Sequence, residues 1–200
     1  MAEAFERYTD ADVVEQIREY PLAWVCPLQG DSMAATLLPL LAETDSAGRV
    51  CTLLGHMARR NPLFAALSAD PRALILFTGP QAYVSPACVS DPTWGPTWNY
   101  AQLRVEATLR FAPDGGDEAL ATLVDAMESR HPSGWSIDKM GPRYRAMEQA
   151  IVAFRADITR SQARFKLGQD EKPERLREIL ERHPDAALVR WMRRFNRGRL

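Results

Sequence analysis

From Thr97 to Phe111 the chain alternates cleanly. Leu103, Val105, Ala107, Leu109 and Phe111 are separated by Arg104, Glu106, Thr108 and Arg110. A period of two over that length is a strand with one face on a core and the other in water. Shorter strand candidates are Leu22–Leu28, Ser32–Leu40, Arg49–His56, Ala73–Phe77 and Ile151–Ile158. About six strands with few helices between them predict an antiparallel barrel, and strictly alternating βα units are absent. Neither GxGxxG nor GxxxxGK[ST] occurs, which argues against a Rossmann or P-loop nucleotide site.

Helices fill the gaps. Thr9 or Asp10 can cap a first helix carrying Val13, Val14 and Ile17, with Pro21 beyond its end. Asn61-Pro62 is a second start, Asn as cap and Pro in the first turn. Leu120, Leu123, Val124 and Met127 mark an amphipathic helix ending near His131-Pro132. Further helices are expected over Pro142–Glu148, over Pro173–Arg182, and after Pro184 with Leu188, Trp191, Met192 and Phe195 on one face. The fold class is therefore α+β: a barrel domain over residues 1–170 and a C-terminal helical extension over 171–200, packed on the barrel or on a dimer partner.

The segment Phe77–Tyr100 joins two of these strands and is broken by Pro80, Pro86, Pro92 and Pro96. Proline fixes φ and cannot donate to a ladder, so short extended pieces are expected. Tyr83, Ser85, Thr97, Trp98, Asn99 and Tyr100 stand between the prolines. Flat aromatic rings beside hydroxyl and amide groups suit a planar polar ligand. The plainer reading is a barrel corner with core aromatics, and the stretch in isolation favours it.

Composition removes several function classes. A formal charge of −1 gives no global field for nucleic acid. No run of about twenty apolar residues is present to span a membrane. The N-terminal MAEAFERYTDADVV lacks an apolar signal core, so a cytoplasmic location is expected. Cys26, Cys51 and Cys88 are scattered and odd in number, as for reduced thiols rather than a disulfide framework. No zinc-type Cys/His spacing occurs, and no Ser-His-Asp or paired-carboxylate pattern can be singled out.

Several single residues carry chemistry. His56 ends a strand before a capped helix, and is either a haem or metal ligand or a hydrogen-bonding turn residue. His131 and His183 each precede a proline in charged surroundings and are expected to be exposed. Arg59 and Arg60, beside the Asn61 helix start, form either an anion clamp or a solvated pair. Lys166 can reach an anionic cofactor or stand free at the surface. Cys88 has no visible cause for a low pKa and is expected to be inert. Five arginines and no acid follow Ala186, on a helix better suited to docking than to sequence-specific DNA binding.

Four stretches, in this order, resemble one family: Gly55-His56-Met57-Ala58-Arg59-Arg60-Asn61-Pro62; Phe77-Thr78-Gly79-Pro80 with Ala82-Tyr83-Val84-Ser85-Pro86; Pro96-Thr97-Trp98-Asn99-Tyr100; and Phe165-Lys166-Leu167-Gly168-Gln169. The resemblance is to the PaiB-type family, known as FMN-binding negative transcriptional regulators, and covers roughly residues 5–170. It implies a flavin-reductase-like split β-barrel that dimerises and holds a flat cofactor at the dimer interface. Three positions depart from the family's usual pattern: Ala87-Cys88 in place of Trp-Tyr, Leu103-Arg104 in place of Val-His, and Gly168-Gln169-Asp170 in the late motif. These departures are similar to a biosynthetic branch, the haem-dependent piperazate synthases. That resemblance implies haem b with His56 as axial ligand, and N–N bond-forming cyclisation of an N-hydroxylated amino acid. The alternative is an FMN-binding regulator or flavoprotein without lyase activity. The cofactor-contacting set under either reading is His56, Arg59, Arg60, Asn61, Tyr83, Ser85, Thr97, Trp98, Asn99 and Lys166. No residue stands out as proton donor.

Overall fold

The computed structural model describes residues 2–30, 32–129 and 134–200. The first long helix, α1 (Asp10–Glu19), begins at a reciprocal capping box. The Thr9 hydroxyl accepts from the Asp12 N–H, and the Asp12 carboxylate accepts from the Thr9 N–H at 2.8 Å. Val13 and Ile17 then fall on the buried side. Six strands follow: β1 (Leu22–Pro27), β2 (Thr36–Thr44), β3 (Val50–Ala58), β4 (Arg72–Val84), β5 (Thr97–Ala112) and β6 (Ile151–Lys166). They close as an antiparallel barrel in the order β1-β2-β3-β6-β5-β4. The fold is the α+β antiparallel barrel expected from the strand pattern, and the split barrel that the family resemblance implies.

Inward residues of every strand fill the interior. Val25, Leu40, Leu53, Ile75, Phe77, Leu103, Phe154 and Phe165 are each at most 1% exposed. Space is tight where β3 crosses the core: a Cβ on Gly55 would lie 2.5 Å from Leu40 Cδ2 and 2.7 Å from Phe154 Cζ. Helix α2 (Pro62–Ala69) is capped by Asn61, as its sequence signals, and buries Leu63 and Leu67. Helices α3 (Gly116–Glu128) and α4 (Arg143–Gln149) lie between β5 and β6, with Ala119 of α3 against Leu54 and Ala153.

The last two helices, α5 (Pro173–Arg182) and α6 (Ala186–Phe195), belong to the same core. Leu176, Ile179, Leu188 and Met192 are fully buried. Phe165 stacks on Trp191 and Phe195, with centroids 5.9 and 4.6 Å apart. Most of the arginines after Ala186 act as fasteners. Arg190 pairs with Glu19 at 2.6 Å, and Arg194 with Asp12 at 2.7 Å. Arg199 donates to the Gly168 and Glu171 carbonyls.

Four expectations change. The strand after β1 starts at Thr36, because Ser32–Ala34 form a 3-10 turn. Strand β4 does not stop at Phe77. It runs through Gly79-Pro80 on a bulge, the register shifting between Thr78 and Gln81, which accommodates a proline with no N–H to pair. Strand β6 is sixteen residues long, because Thr159–Gln162 are all exposed and hide its period although the ladder to β5 continues. His183 is 9% exposed and hydrogen-bonded rather than solvated. His131 lies outside the described residues. Among the described residues no helix is long and apolar enough to cross a membrane. The three cysteines are free.

Candidate functional site

The GHMARRNP stretch ends β3 and leads into α2. Met57 points into the core and His56 points outward, since neighbouring strand residues face opposite ways. His56 pairs with Ala153 of β6 and is half-buried. Its Nδ1 is buried without a hydrogen-bond partner. Burial pushes the imidazole pKa below its ordinary value, so the ring is held neutral, the form that binds a metal.

The next residues are spent on architecture. The Arg59 guanidinium donates to the carbonyls of Gln149, at 3.1 Å, and Pro113, tying the end of α4 to the turn after β5. Asn61 Oδ1 accepts from the Leu63 N–H and the Thr36 hydroxyl. Arg60 is exposed and remains available for an anion.

The proline-rich stretch forms the other end of the barrel. Tyr83 and Trp98 are cross-strand partners with centroids 6.0 Å apart and about half of each side chain exposed. The Trp98 indole donates to Gln81 Oε1 at 2.7 Å. Lys166, opposite Tyr100 on the outer face, donates to the Thr97 hydroxyl. Ser85 is half-buried and Asn99 is buried, and both have structural partners. Ser85 caps a 3-10 turn by accepting from the Ala87 N–H. Asn99 is 1% exposed and contacts the Met192 sulfur at 3.6 Å.

Below Trp98 a groove of about 430 Å³ opens on the outer face of β1, β4 and β5. Trp24 and Trp98 wall it, with Leu76, Gln81, Tyr100 and Gln102 among its lining. Sequence reasoning missed Trp24, Gln81 and Gln102. Trp24 lies in a continuous apolar run, where nothing in the sequence tells the inward face from the outward one. A larger cavity of about 550 Å³ lies between α1 and α3. The charged groups at its rim are already paired, Arg18 with Glu15 and Glu43 with Arg155.

The ten residues singled out from sequence are not one cluster. Ala153, beside His56, and Lys166 stand at opposite ends of β6, about 43 Å apart along the strand at roughly 3.3 Å per residue. The groove lies nearer to His56 by another route. Leu22 pairs with Pro39, and Leu40, the next residue, pairs with Gly55, so His56 comes beside Pro39. From His56 through β2 and β1 to β4 is three strand spacings, roughly 14 Å. Leu22, Trp24 and Leu37 cover that interval, each 41–51% exposed. No charged residue occurs in β1 or in β2 before Glu43. The result is an apolar, aromatic strip open to solvent, with an imidazole at one edge and an indole-walled groove at the other.

Residues 1–160 match the family described as "Putative FMN-binding domain". The chain is 28% identical over 131 residues to protease synthase and sporulation protein PAI 2 of Bacillus subtilis, covering 64% of this chain and 63% of that protein. It is 29% identical over 120 residues to an uncharacterized protein of Saccharomyces cerevisiae, covering 56% of this chain and 70% of that one. Among solved structures, the flavocytochrome Anf3 from Azotobacter vinelandii superposes with a TM-score of 0.60 at 17% identity, over 81% of this chain and 69% of that one. An FAD and heme binding protein from Mycobacterium smegmatis gives 0.57 at 16% identity, over 86% and 78%. At those identities the two structures speak to the fold alone. The family match, which takes in most of the chain, makes this protein a member of the FMN-binding-domain family, built on the PaiB-like split barrel that its sequence resembles.

Proposed function

We propose that the outward face of β1 and β2 binds a flat cofactor, FMN, and that the protein is a flavoprotein or FMN-binding regulator. One observation carries this reading: an uncharged, exposed strip that ends in a groove walled by Trp24 and Trp98. Indole faces stack on a planar ring, and Gln81 and Gln102 offer amide groups to its polar edge. Lys166 and Arg60 are the cations placed to receive a phosphate, one at each end of the strip. Bound FMN would supply hydride or electron transfer, and the chain would supply stacking, orientation and water exclusion. A ligand lying on an open strip has one face covered by protein. A second copy of the chain is the natural cover, because an uncharged apolar surface is complementary to itself. Nucleic acid is not part of this reading, since three of the five C-terminal arginines are engaged internally.

A second reading rests on His56. A half-buried imidazole held neutral, on the edge of an apolar strip and with no hydrogen-bond partner on its buried Nδ1, is the side chain that would hold the iron of a bound haem. Bound haem would supply Lewis-acid activation of an N–OH group. Arg60 would hold a propionate or the substrate carboxylate. Cyclisation of an N-hydroxylated amino acid with N–N bond formation follows from the sequence resemblance to the piperazate-synthase branch.

One absorption experiment separates the two. Protein expressed with haem and riboflavin available is purified, and its spectrum is recorded. Flavin bands that weaken in Trp24→Ala and Trp98→Ala support FMN. A Soret band lost in His56→Ala supports haem and overturns the FMN reading. Absence of both, after titration with each cofactor, rejects the strip as a cofactor site.

A further inference from the structure

The segment Ser85–Gly95 is the part of the barrel wall with no ladder of its own. Beyond local turns, every long-range hydrogen bond it makes among the described residues ends on one short stretch of the C-terminal extension. The Trp94 indole donates to both carboxylate oxygens of Glu171, at 3.1 and 3.2 Å. Arg175 pairs with Asp91. Glu178 accepts from the Ser90 hydroxyl at 2.6 Å and from the Ser90 N–H. Two residues before this segment, the Tyr83 carbonyl lies 3.1 Å from His183 Nε2. His183 Nδ1 accepts from the Asp185 N–H at 3.1 Å, so the proton must sit on Nε2 and be donated to Tyr83.

We propose that Glu171, Arg175, Glu178 and His183 form a clamp that positions the Tyr83–Trp98 aromatic pair, so that the C-terminal extension sets the affinity of the groove for a planar ligand. The inference rests on the groove being a ligand site. The physical argument is one of entropy. A twelve-residue connection between strands whose ends carry the aromatic pair loses entropy when it is ordered, even with its prolines, and must be tied down to hold one conformation. Four polar ties at intervals from Glu171 to His183, within α5 and just beyond its two ends, join the burial of Cys88 and Val89 in removing that freedom before the ligand arrives. The residues holding the wall stand outside residues 1–160, the part that matches the family. The extension is then a positioning element for the site, coupled to it reciprocally: a ligand that rigidifies Trp98 strengthens docking of α5, and loosening α5 weakens the ligand.

The test uses the full chain and two independent readouts. Amide hydrogen exchange over residues 83–98 needs no ligand, and FMN titration followed by flavin fluorescence reads the site. In Glu178→Ala/His183→Leu, exchange over 83–98 is expected to rise at least tenfold with β2 and β3 unchanged, and FMN affinity to fall at least fivefold. His183→Gln, which keeps an N–H donor, should restore both in a Glu178 background. Ser90→Ala/Asp91→Asn approaches the clamp from the loop side and should reproduce the effect without touching the helix. Unchanged exchange over 83–98 overturns the clamp. Faster exchange with unchanged FMN affinity overturns its link to the site, and so does faster exchange throughout the barrel. If the wild-type protein binds no FMN, the groove reading falls, and the link to affinity with it, while the exchange arm still decides whether the clamp exists.

Discussion

The stretch Gly55–Pro62 and the stretch Tyr83–Tyr100 both carry motif residues, and the barrel uses them in opposite ways. In the first, side chains that look like ligand contacts are consumed by the fold. Arg59 holds two carbonyls, Asn61 caps α2, and Met57 is core, leaving His56 and Arg60 for other work. In the second, the core takes Asn99 and the loop takes Ser85, while Tyr83 and Trp98 are left half in solvent. Charged and amide groups can satisfy backbone groups, so they are readily recruited as structural partners. Large aromatic rings gain most by burial, so a pair left exposed in a barrel with a full core points to something that covers them.

Substitutions can break or sharpen that contrast. The largest effect is expected behind the second stretch. Trp191→Ala removes a stacked, buried indole under Phe165, and should cost about 3–5 kcal/mol in chemical denaturation. Full retention of stability would mean that the extension is not part of the core. Gly55→Ala, at the first stretch, forces a methyl against Leu40 and Phe154 and should cost about 1–3 kcal/mol. Arg59→Ala should lose about 1 kcal/mol and leave cofactor affinity unchanged, whereas Arg60→Ala should do the reverse. If Arg59 alone controlled affinity, the division of labour drawn here would fail. Trp98→Ala should change stability by no more than about 0.5 kcal/mol while weakening FMN at least fivefold.

The smallest effect is a pH dependence. Burial lowers the His56 pKa in the folded chain, so the unfolded chain binds a proton more readily. Stability is therefore complete above the unfolded value of about 6.5 and declines as the pH falls below it. Thermal melts between pH 5 and 8 should show a steeper acid loss for wild type than for His56→Gln. Equal slopes would mean that the imidazole is not held neutral by its surroundings.

Local chemistry was legible where it acts over a few residues. Thr9 and Asn61 were readable as caps because a cap needs a particular side chain at a particular place. The alternation of β5 was readable because its outer face is charged. The single-strand face of β1 was not, because Leu22 and Trp24 look outward with the same apolarity that Ala23 and Val25 turn inward. Half of β6 was hidden by four exposed residues in a row. The burial of His183 was invisible because its partners, the Tyr83 carbonyl and the Asp185 N–H, are backbone groups that every sequence contains.

By itself the sequence determined an antiparallel barrel with capped helices and a Trp/Tyr-bearing, proline-broken connection, because periodicity, capping and proline geometry are local properties. Tertiary structure alone decided that the candidate residues divide between two ends of β6, and that Trp24 joins Trp98 across β4. It also decided that the C-terminal helices hold the connection in place. Each of those depends on strand order, register and the closing of the barrel, which bring together residues far apart in the chain.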